Sequence, residues 1–448
     1  MRGMRLVGRM VRLAAAIAAT SGMFAAGAGA TTIERVVSSG GIEAWLVHER
    51  AVPLIAVEFA FTGGAVQDPP GKAGTASLTA SLLDSGAGDL DSTAFSDRLE
   101  RKAIQMGFSA QHDTIHGTMR TLTENRDEAF ELLRLAVTAP RFDAKDVEIS
   151  RAQILSLLRR ETTSPTDIAS RRWWETAFEG HPYGRPLKGT SDTVASISIA
   201  DLKTYAHRVL ARQSLKIAVV GDIDAETLKV LLDRTFGALP EKADLFPVAN
   251  VAPRGLGRRI EVSLDVPQTV VDFGGPGIAR QDPDFMAAYL INHILGGGSS
   301  DSRLYREVRE KRGLAYSVSD NLVWLDHSAV LLGGTATRAD RAGETVDLIE
   351  KEIHRFAESG PTAAELMEAK RYLNSAFALN LDSSTKIAAL LVQLQLDGFG
   401  PDYFTRRSAM IEAVTLDDAR RVAKRLLDKG LLVTVVGKPQ GFASTKPN

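Results

Sequence analysis

The sequence predicts an α+β protein made of two homologous α/β sandwich domains, and three observations carry that prediction. The first is a capped helix followed by a buried strand, which occurs twice. Ser198-Ile199-Ala200-Asp201-Leu202 opens a helical stretch to Leu210, and the apolar run Leu215 to Val220 then ends in Gly221-Asp222. Downstream, Thr415-Leu416-Asp417-Asp418 opens a helical stretch to Leu427, followed by Leu431 to Val436 and Gly437. Gly221 and Gly437 lie 216 residues apart, and two such units roughly fill the chain, so the self-similarity is domain-sized and argues for duplication. The second observation is that each half starts β-rich, over Ile42 to Phe61 and Arg259 to Phe273, and ends on a strand. Strands near both ends of a unit suit helices packed on one face of a mostly antiparallel sheet. The third is size and composition: 448 residues, 44% hydrophobic and 24% charged, exceed one core and fit no disordered, collagenous or polytopic membrane class.

Residues 1–30 stand apart. Arg2, Arg5, Arg9 and Arg12 with no acid, the apolar run Leu13 to Gly27, and Ala28-Gly29-Ala30 before Thr31 read as a secretory signal peptide. Its apolar run is short for a membrane span, so the expected location is periplasmic or secreted, with no membrane attachment after cleavage. Without the four arginines the formal net charge of −1 becomes mildly acidic, which argues against nucleic acid as a partner. The chain has no cysteine, which excludes disulfides, thiolate metal sites, iron–sulfur clusters and cysteine nucleophiles. A proline-bearing stretch, Gly237 to Gly257 with Pro240, Pro247 and Pro253, separates the halves. The expected division is an N-terminal domain over 31–240, a linker over 241–258 and a C-terminal domain over 259–448.

In the first half, Asp68-Pro69-Pro70-Gly71-Lys72-Ala73-Gly74 leads into Thr75-Ala76-Ser77-Leu78-Thr79-Ala80-Ser81-Leu82-Leu83. On composition alone this is a Pro/Gly loop feeding a helix of small residues, which is plain scaffold. His112 and His116 are four apart, but Phe108 to Leu122 alternates like a strand, on which four residues span about 13 Å and cannot share an ion. The other histidines are isolated in sequence. In the second half, Gly296-Gly297-Gly298-Ser299-Ser300-Asp301-Ser302 precedes a basic amphipathic helix, Arg303 to Arg312, stopped by Gly313 and followed by a strand. Neither Gly-Lys-Ser/Thr nor a buried strand flanks the glycines as a phosphate loop requires, so they hold no nucleotide.

Phe61-Thr62-Gly63-Gly64-Ala65 and Asp68 to Gly74 resemble the opening of the pitrilysin family of zinc peptidases, which includes insulin-degrading enzyme and mitochondrial processing peptidase. The run Gly296 to Val318 resembles that family's C-terminal motif, a glycine-rich loop, an arginine-bearing helix and a tyrosine seven residues after the arginine; the pair falls on Arg309 and Tyr316. His181-Pro182-Tyr183-Gly184-Arg185-Pro186 and Val219-Val220-Gly221-Asp222 also match family segments and read as architecture.

The resemblance implies a zinc helix bearing H-x-x-E-H, in which two histidines hold the metal and the glutamate activates its water. Aligned on the Gly-Lys-Ala-Gly lead-in, this chain has Ser77, Ala80 and Ser81 at those positions. The family's third ligand, a glutamate about 76 residues beyond the second histidine, lands on Leu157. All four positions are degenerate, so no catalytic zinc is expected in this chain. The retained arginine and tyrosine imply contacts to the substrate backbone and the developing oxyanion of a partner's site. The resemblance therefore points to a noncatalytic subunit of a heterodimeric zinc metallopeptidase. Its homologous H-x-x-E-H-bearing partner would hold the zinc, and short unfolded peptides would be the substrate. The rival is a peptide-binding or structural pseudoenzyme with no proteolytic role.

Overall fold

The computed structural model describes residues 32–297, 300–379 and 381–445. The leader expected over 1–30 and Gly298 of the triple-glycine loop lie outside the described residues. In chain order the first half contains β1 (Ile33–Val37), β2 (Glu43–His48), β3 (Leu54–Thr62), α1 (Thr75–Ala80), α2 (Ser92–Arg101), β4 (Gln105–Ala110) and β5 (Thr114–Leu122). It continues with α3 (Arg126–Thr138), α4 (Ala144–Glu161), α5 (Pro165–Ala177), α6 (Ser191–Ser196), α7 (Ile199–Val209), β6 (Leu215–Gly221) and α8 (Ala225–Phe236). The second half runs β7 (Arg259–Ser263), β8 (Gln268–Pro276), α9 (Phe285–Leu295), a π-helical turn (Tyr305–Glu310), β9 (Ala315–Leu325) and β10 (Ser328–Arg338). It closes with α10 (Ala342–Ser359), α11 (Ala363–Leu379), α12 (Ser384–Leu396), α13 (Tyr403–Glu412), α14 (Leu416–Leu427) and β11 (Leu432–Gly437).

Two sheets result, in the orders β1-β2-β6-β3-β5-β4 and β7-β11-β8-β10-β9. Each is antiparallel except for one parallel pair, β2 with β6 and β7 with β11. The repeat read in the sequence has a matching local cause in both halves. Ser198 Oγ accepts from the Asp201 N–H while the Asp201 carboxylate accepts from the Ser198 N–H, and Thr415 and Asp418 do the same at α14. These reciprocal caps satisfy otherwise orphaned amides and fix where each helix begins. Helices α7 and α14 then deliver the chain to β6 and β11, which lie inside their sheets and are almost wholly buried, so both read as continuous apolar runs.

A second internal match appears in the register. Phe59 of β3 faces Gly117 of β5, and Phe273 of β8 faces Gly333 of β10. In each case the ring lies over the glycine, where a Cβ would come within 2.0 Å of the first ring and 2.4 Å of the second.

The sequence reading placed helices on one face of each sheet; the structure covers both faces, and the second layer comes from the opposite half. Helix α5 packs on β8 and β11, and α12 packs on β3 and β6. Ala169 and Trp173 of α5 lie among Val270, Leu432 and Val436, while Ala60, Ala218 and Val220 of the first sheet join the core of the second half. Residues 241–258 carry no regular element and are pinned to both halves: the Asp244 N–H donates to the Arg208 carbonyl, the Val251 N–H to His327 and the Arg254 N–H to Ala177. Phe108 to Leu122 is also not one strand. It folds back as the β4–β5 hairpin with His112 in the turn.

Candidate functional site

Helix α1 is set by Asp68. Its buried carboxylate accepts from the Gly74 and Ala76 N–H groups at 2.7 Å each, and Arg185 donates to the carbonyls of Asp68 and Val66. Burial pushes the Asp68 carboxyl up to about 7, against the lowering effect of those amides and of Arg185. On α1, Ser77 Oγ donates to the Leu187 carbonyl at 2.7 Å. Ser81 Oγ donates to the Leu78 carbonyl and lies 2.7 Å from Ser150 Oγ. Ala80, where the family's glutamate would stand, is buried.

Ser77, Ala80 and Ser81 are thus together, but Leu157 is not the residue of α4 that meets them. Ser150 is, seven positions earlier, which on an α-helix is about two turns or 10 Å; Leu157 is 37% exposed. The internal signal for Ser150 is its place in the buried stripe Val147, Ser150, Ile154, Leu158, where a serine needs a partner. Whichever residue of α4 is counted, the set supplies hydroxyls and hydrocarbon. Zinc takes imidazole, thiolate or carboxylate, and the hydroxyls here are engaged with the protein, so the residues do not fit the metal. A cleft of about 260 Å³ lies alongside, lined by His112, Glu161, Arg171, Trp174, Leu187 and Lys188. Three of its charges are paired within the fold, Glu161 with Lys188 at 2.6 Å and with Arg171 at 3.5 Å. Burial lowers the pKa of His112, whose ring lies tilted against Trp174 and edge-on to Tyr183.

The arginine-bearing segment departs from the expected helix. The Lys311 N–H donates to the Arg306 carbonyl, a five-residue step, so Tyr305–Glu310 is a π-helical turn, a rare form that recurs at functional sites. Gly313 ends it at φ +60, the left-handed conformation glycine adopts without penalty. Its cations are not a solvated face. Arg303 grips Glu365 through two bonds of 2.8 and 2.7 Å, Arg306 reaches the same carboxylate at 3.4 Å, and Lys311 and Arg312 each reach Glu307 at 2.6 Å. Burial alone would raise Glu307 and Glu365, but these bonds outweigh it and hold both carboxyls at about 2. Among the described residues Arg309 alone in this stretch has no acidic partner; its exposed guanidinium lies 4.8 Å over the Tyr305 ring.

The π-turn packs against the start of β9, where Tyr316 is 81% exposed. Thr335 pairs with Val318 and Thr337 with Ala315, so Tyr316 and Ser317 together oppose one residue of β10. This is a β-bulge, a device that redirects a side chain. Thr335 and Thr337 clamp it by donating to the Ser317 and Leu314 carbonyls at 2.6 Å.

The family description "Peptidase M16 inactive domain" matches residues 196–373. The crystal structure of a peptidase M16 inactive domain from Pseudomonas fluorescens superposes with a TM-score of 0.85 at 25% identity, covering 93% of this chain and 100% of that one. A non-peptidase homologue, YmxG, of Helicobacter pylori is 27% identical over 326 residues, 72% of this chain and 74% of its own. The chain is thus similar to the M16 peptidase family, and the family match itself lies over 196–373. An uncharacterized zinc protease of Streptomyces coelicolor is 26% identical over 433 residues, 95% of this chain and 94% of that one. The crystal structure of a protease from Helicobacter pylori matches in fold with a TM-score of 0.82 at 20% identity, over 91% of this chain and 99% of that one. The likeness is to the inactive domain of M16, the pitrilysin family of the motif resemblance, and this chain has no H-x-x-E-H.

The loop at 181–186 ties the two halves together beside the cleft. The buried Tyr183 hydroxyl donates to the Asp113 carboxylate at 2.8 Å and accepts from the His327 N–H at 3.0 Å, while Asp113 also accepts from the Asp326 N–H. Burial and the Asp113 charge push the Tyr183 phenol well up. Asp113 and Asp326 stand in no family motif and were not singled out in the sequence, because each is one acid in a hairpin turn until the fold brings the two turns together.

Proposed function

We propose that this chain is the noncatalytic subunit of a periplasmic heterodimeric zinc peptidase and supplies Arg309 and Tyr316 in trans to the active site of a homologous partner. The observation that carries the reading is the isolation of Arg309: its neighbours Arg303, Arg306, Lys311 and Arg312 are all engaged by Glu365 or Glu307. Among the described residues Arg309 has no carboxylate partner and rests over the Tyr305 ring, while Tyr316 is displayed on a bulge, so both keep donors to offer a ligand. Aimed at a scissile peptide, both donate toward the oxygen on which negative charge grows. The partner's H-x-x-E-H helix would hold the zinc, which supplies an activated water and polarises the carbonyl. Among the described residues strand β9 pairs with no strand but β10, and on its other edge the Asp320 N–H is taken by the Gly296 carbonyl, so an extended peptide of low structure can lie along the remainder of that edge.

The test is peptide hydrolysis by the full chain alone, by an H-x-x-E-H-bearing homologue alone, and by the two together with zinc. Activity is expected from the pair and not from this chain. Arg309→Ala and Tyr316→Phe should each lower turnover of the pair about tenfold or more, the scale of one oxyanion donor. Unchanged turnover would remove their role and favour a binding or structural pseudoenzyme.

A further inference from the structure

A second cavity, of about 290 Å³, lies in the C-terminal half between α9, α12 and α13, at the far end of β9 from Tyr316. Two arginines line it, and they are treated differently. Arg280 sits between the Phe285 and Phe399 rings, meets Asp397 at 3.2 Å and donates to the Tyr403 hydroxyl at 2.7 Å. Asp397 is itself fully used, accepting from Trp324 Nε1 and Gln393 as well. Arg407 of α13 is only 6% exposed, yet among the described residues no carboxylate lies within ion-pair distance of it. It donates one hydrogen bond, to the Leu373 carbonyl at 3.2 Å, and its guanidinium lies 4.2 Å over the Phe377 ring. A guanidinium has five donors and does not lose its proton, so this is a permanent buried charge with most of its hydrogen-bonding capacity unspent. Buried charges in folded proteins are paired or bind something that pairs them.

We propose that this cavity is a binding site for a small organic carboxylate with an apolar or aromatic body. The carboxylate accepts from the free N–H groups of Arg407 in the planar fork geometry that guanidinium offers, and the body lies against Tyr289, Phe377 and Leu390. The volume is at the small end of ligand sites, roughly 300 Å³ upward, which suits one free acid or one chain-terminal residue rather than a cofactor. Lys386 at the rim is already paired with Asp382 at 2.9 Å, so Arg407 is the charge that selects the acid.

The full chain is titrated by calorimetry and thermal shift with octanoate and with N-acetylphenylalanine, each against its neutral counterpart, octanol and N-acetylphenylalanine amide. At least one carboxylate is expected to bind about tenfold more tightly than its neutral partner, the size of one charge-assisted hydrogen bond lost. Preference for octanoate assigns the site to a free acid, and preference for N-acetylphenylalanine assigns it to a peptide C-terminus. Arg407→Met should abolish the preference, and Leu390→Trp, which fills the cavity, should abolish binding. If Arg407→Met does not fold, the acid-against-neutral comparison on the unaltered chain and the Leu390→Trp variant decide. Equal binding of acids and neutral analogues, binding untouched by Leu390→Trp, or no binding of any probe would overturn the site.

Discussion

The indole N–H of Trp173 donates to the carbonyl of Leu432 at 3.1 Å, joining residues 259 apart in sequence across the boundary between the halves. Its counterpart runs the other way: Gln395 Nε2 donates to the Ile217 carbonyl at 2.9 Å. Both acceptors belong to inner strands, β11 and β6, and both donors ride on the helix that each half lends to the other. The duplication therefore did not yield two self-sufficient domains, because each sheet has one face that only the other half covers.

That exchange fixes the cost of breaking it. Trp173 is fully buried, so Trp173→Ala should lower stability by about 3–5 kcal/mol. Trp173→Phe, which keeps a ring and removes this one hydrogen bond, should cost about 0.5–1.5 kcal/mol. Urea unfolding followed by tryptophan fluorescence and by far-ultraviolet circular dichroism should show one coincident transition that shifts as a whole. A variant that loses the signal of one half while the other unfolds at its original midpoint would contradict the mutual cover.

The glycines beneath Phe59 and Phe273 make a matched pair of tests. An added methyl at Gly117 or Gly333 would overlap a ring that the surrounding core prevents from moving, and overpacking of this kind costs about 1–3 kcal/mol or more. Gly117→Ala and Gly333→Ala should both lower the denaturation midpoint. Combining Gly117→Ala with Phe59→Leu should recover part of the loss, since the two changes share one contact. Strict additivity would mean that the ring and the glycine are not in register.

Behind those phenylalanines, on the sheet faces covered by the exchanged helices, stand Glu58 and Asp272, each pushed up to about 7 by burial. Unfolded, such groups titrate near 4, so the folded state favours their neutral forms. The associated stability is fully present below about pH 4 and is lost as pH rises through about 7. Relative to the parent chain, Glu58→Gln and Asp272→Asn should be neutral in stability near pH 4 and increasingly stabilising toward pH 7. Denaturation midpoints measured across that range check the slope, and a difference that grows in the acid direction would contradict the assignment.

Local signals carried well from sequence to structure. The capping residues Ser198 and Thr415 and the apolar runs before Gly221 and Gly437 show the duplication because capping and burial on both faces leave their mark within a dozen residues. The helix exchange leaves no such mark: the stripe Ala169, Trp173, Ala177 says which face of α5 is buried and nothing about which sheet buries it. The π-turn and the bulge at Tyr316 are equally silent, since a basic amphipathic run fits either helical pitch and a bulge is a property of two strands together. The pairing of Ser81 with Ser150 depends on where α1 and α4 meet, which positions along the chain do not reveal.

Arg309 can be separated from its neighbours by stability alone. Arg303 is largely buried, grips Glu365 through two bonds and lies 4.4 Å over the Phe356 ring, so Arg303→Ala should cost about 1.5–3 kcal/mol. Arg309 has no ion pair among the described residues, and Arg309→Ala at an exposed position should change stability by less than about 0.5 kcal/mol. Urea midpoints of the two variants, measured on the chain without any partner, give the comparison directly. If Arg309→Ala proves as destabilising as Arg303→Ala, the arginine is a structural element of the π-turn, and a loss of turnover in a paired peptidase could no longer be credited to contact with substrate. If its stability is untouched while the paired activity falls, the loss belongs to the reaction.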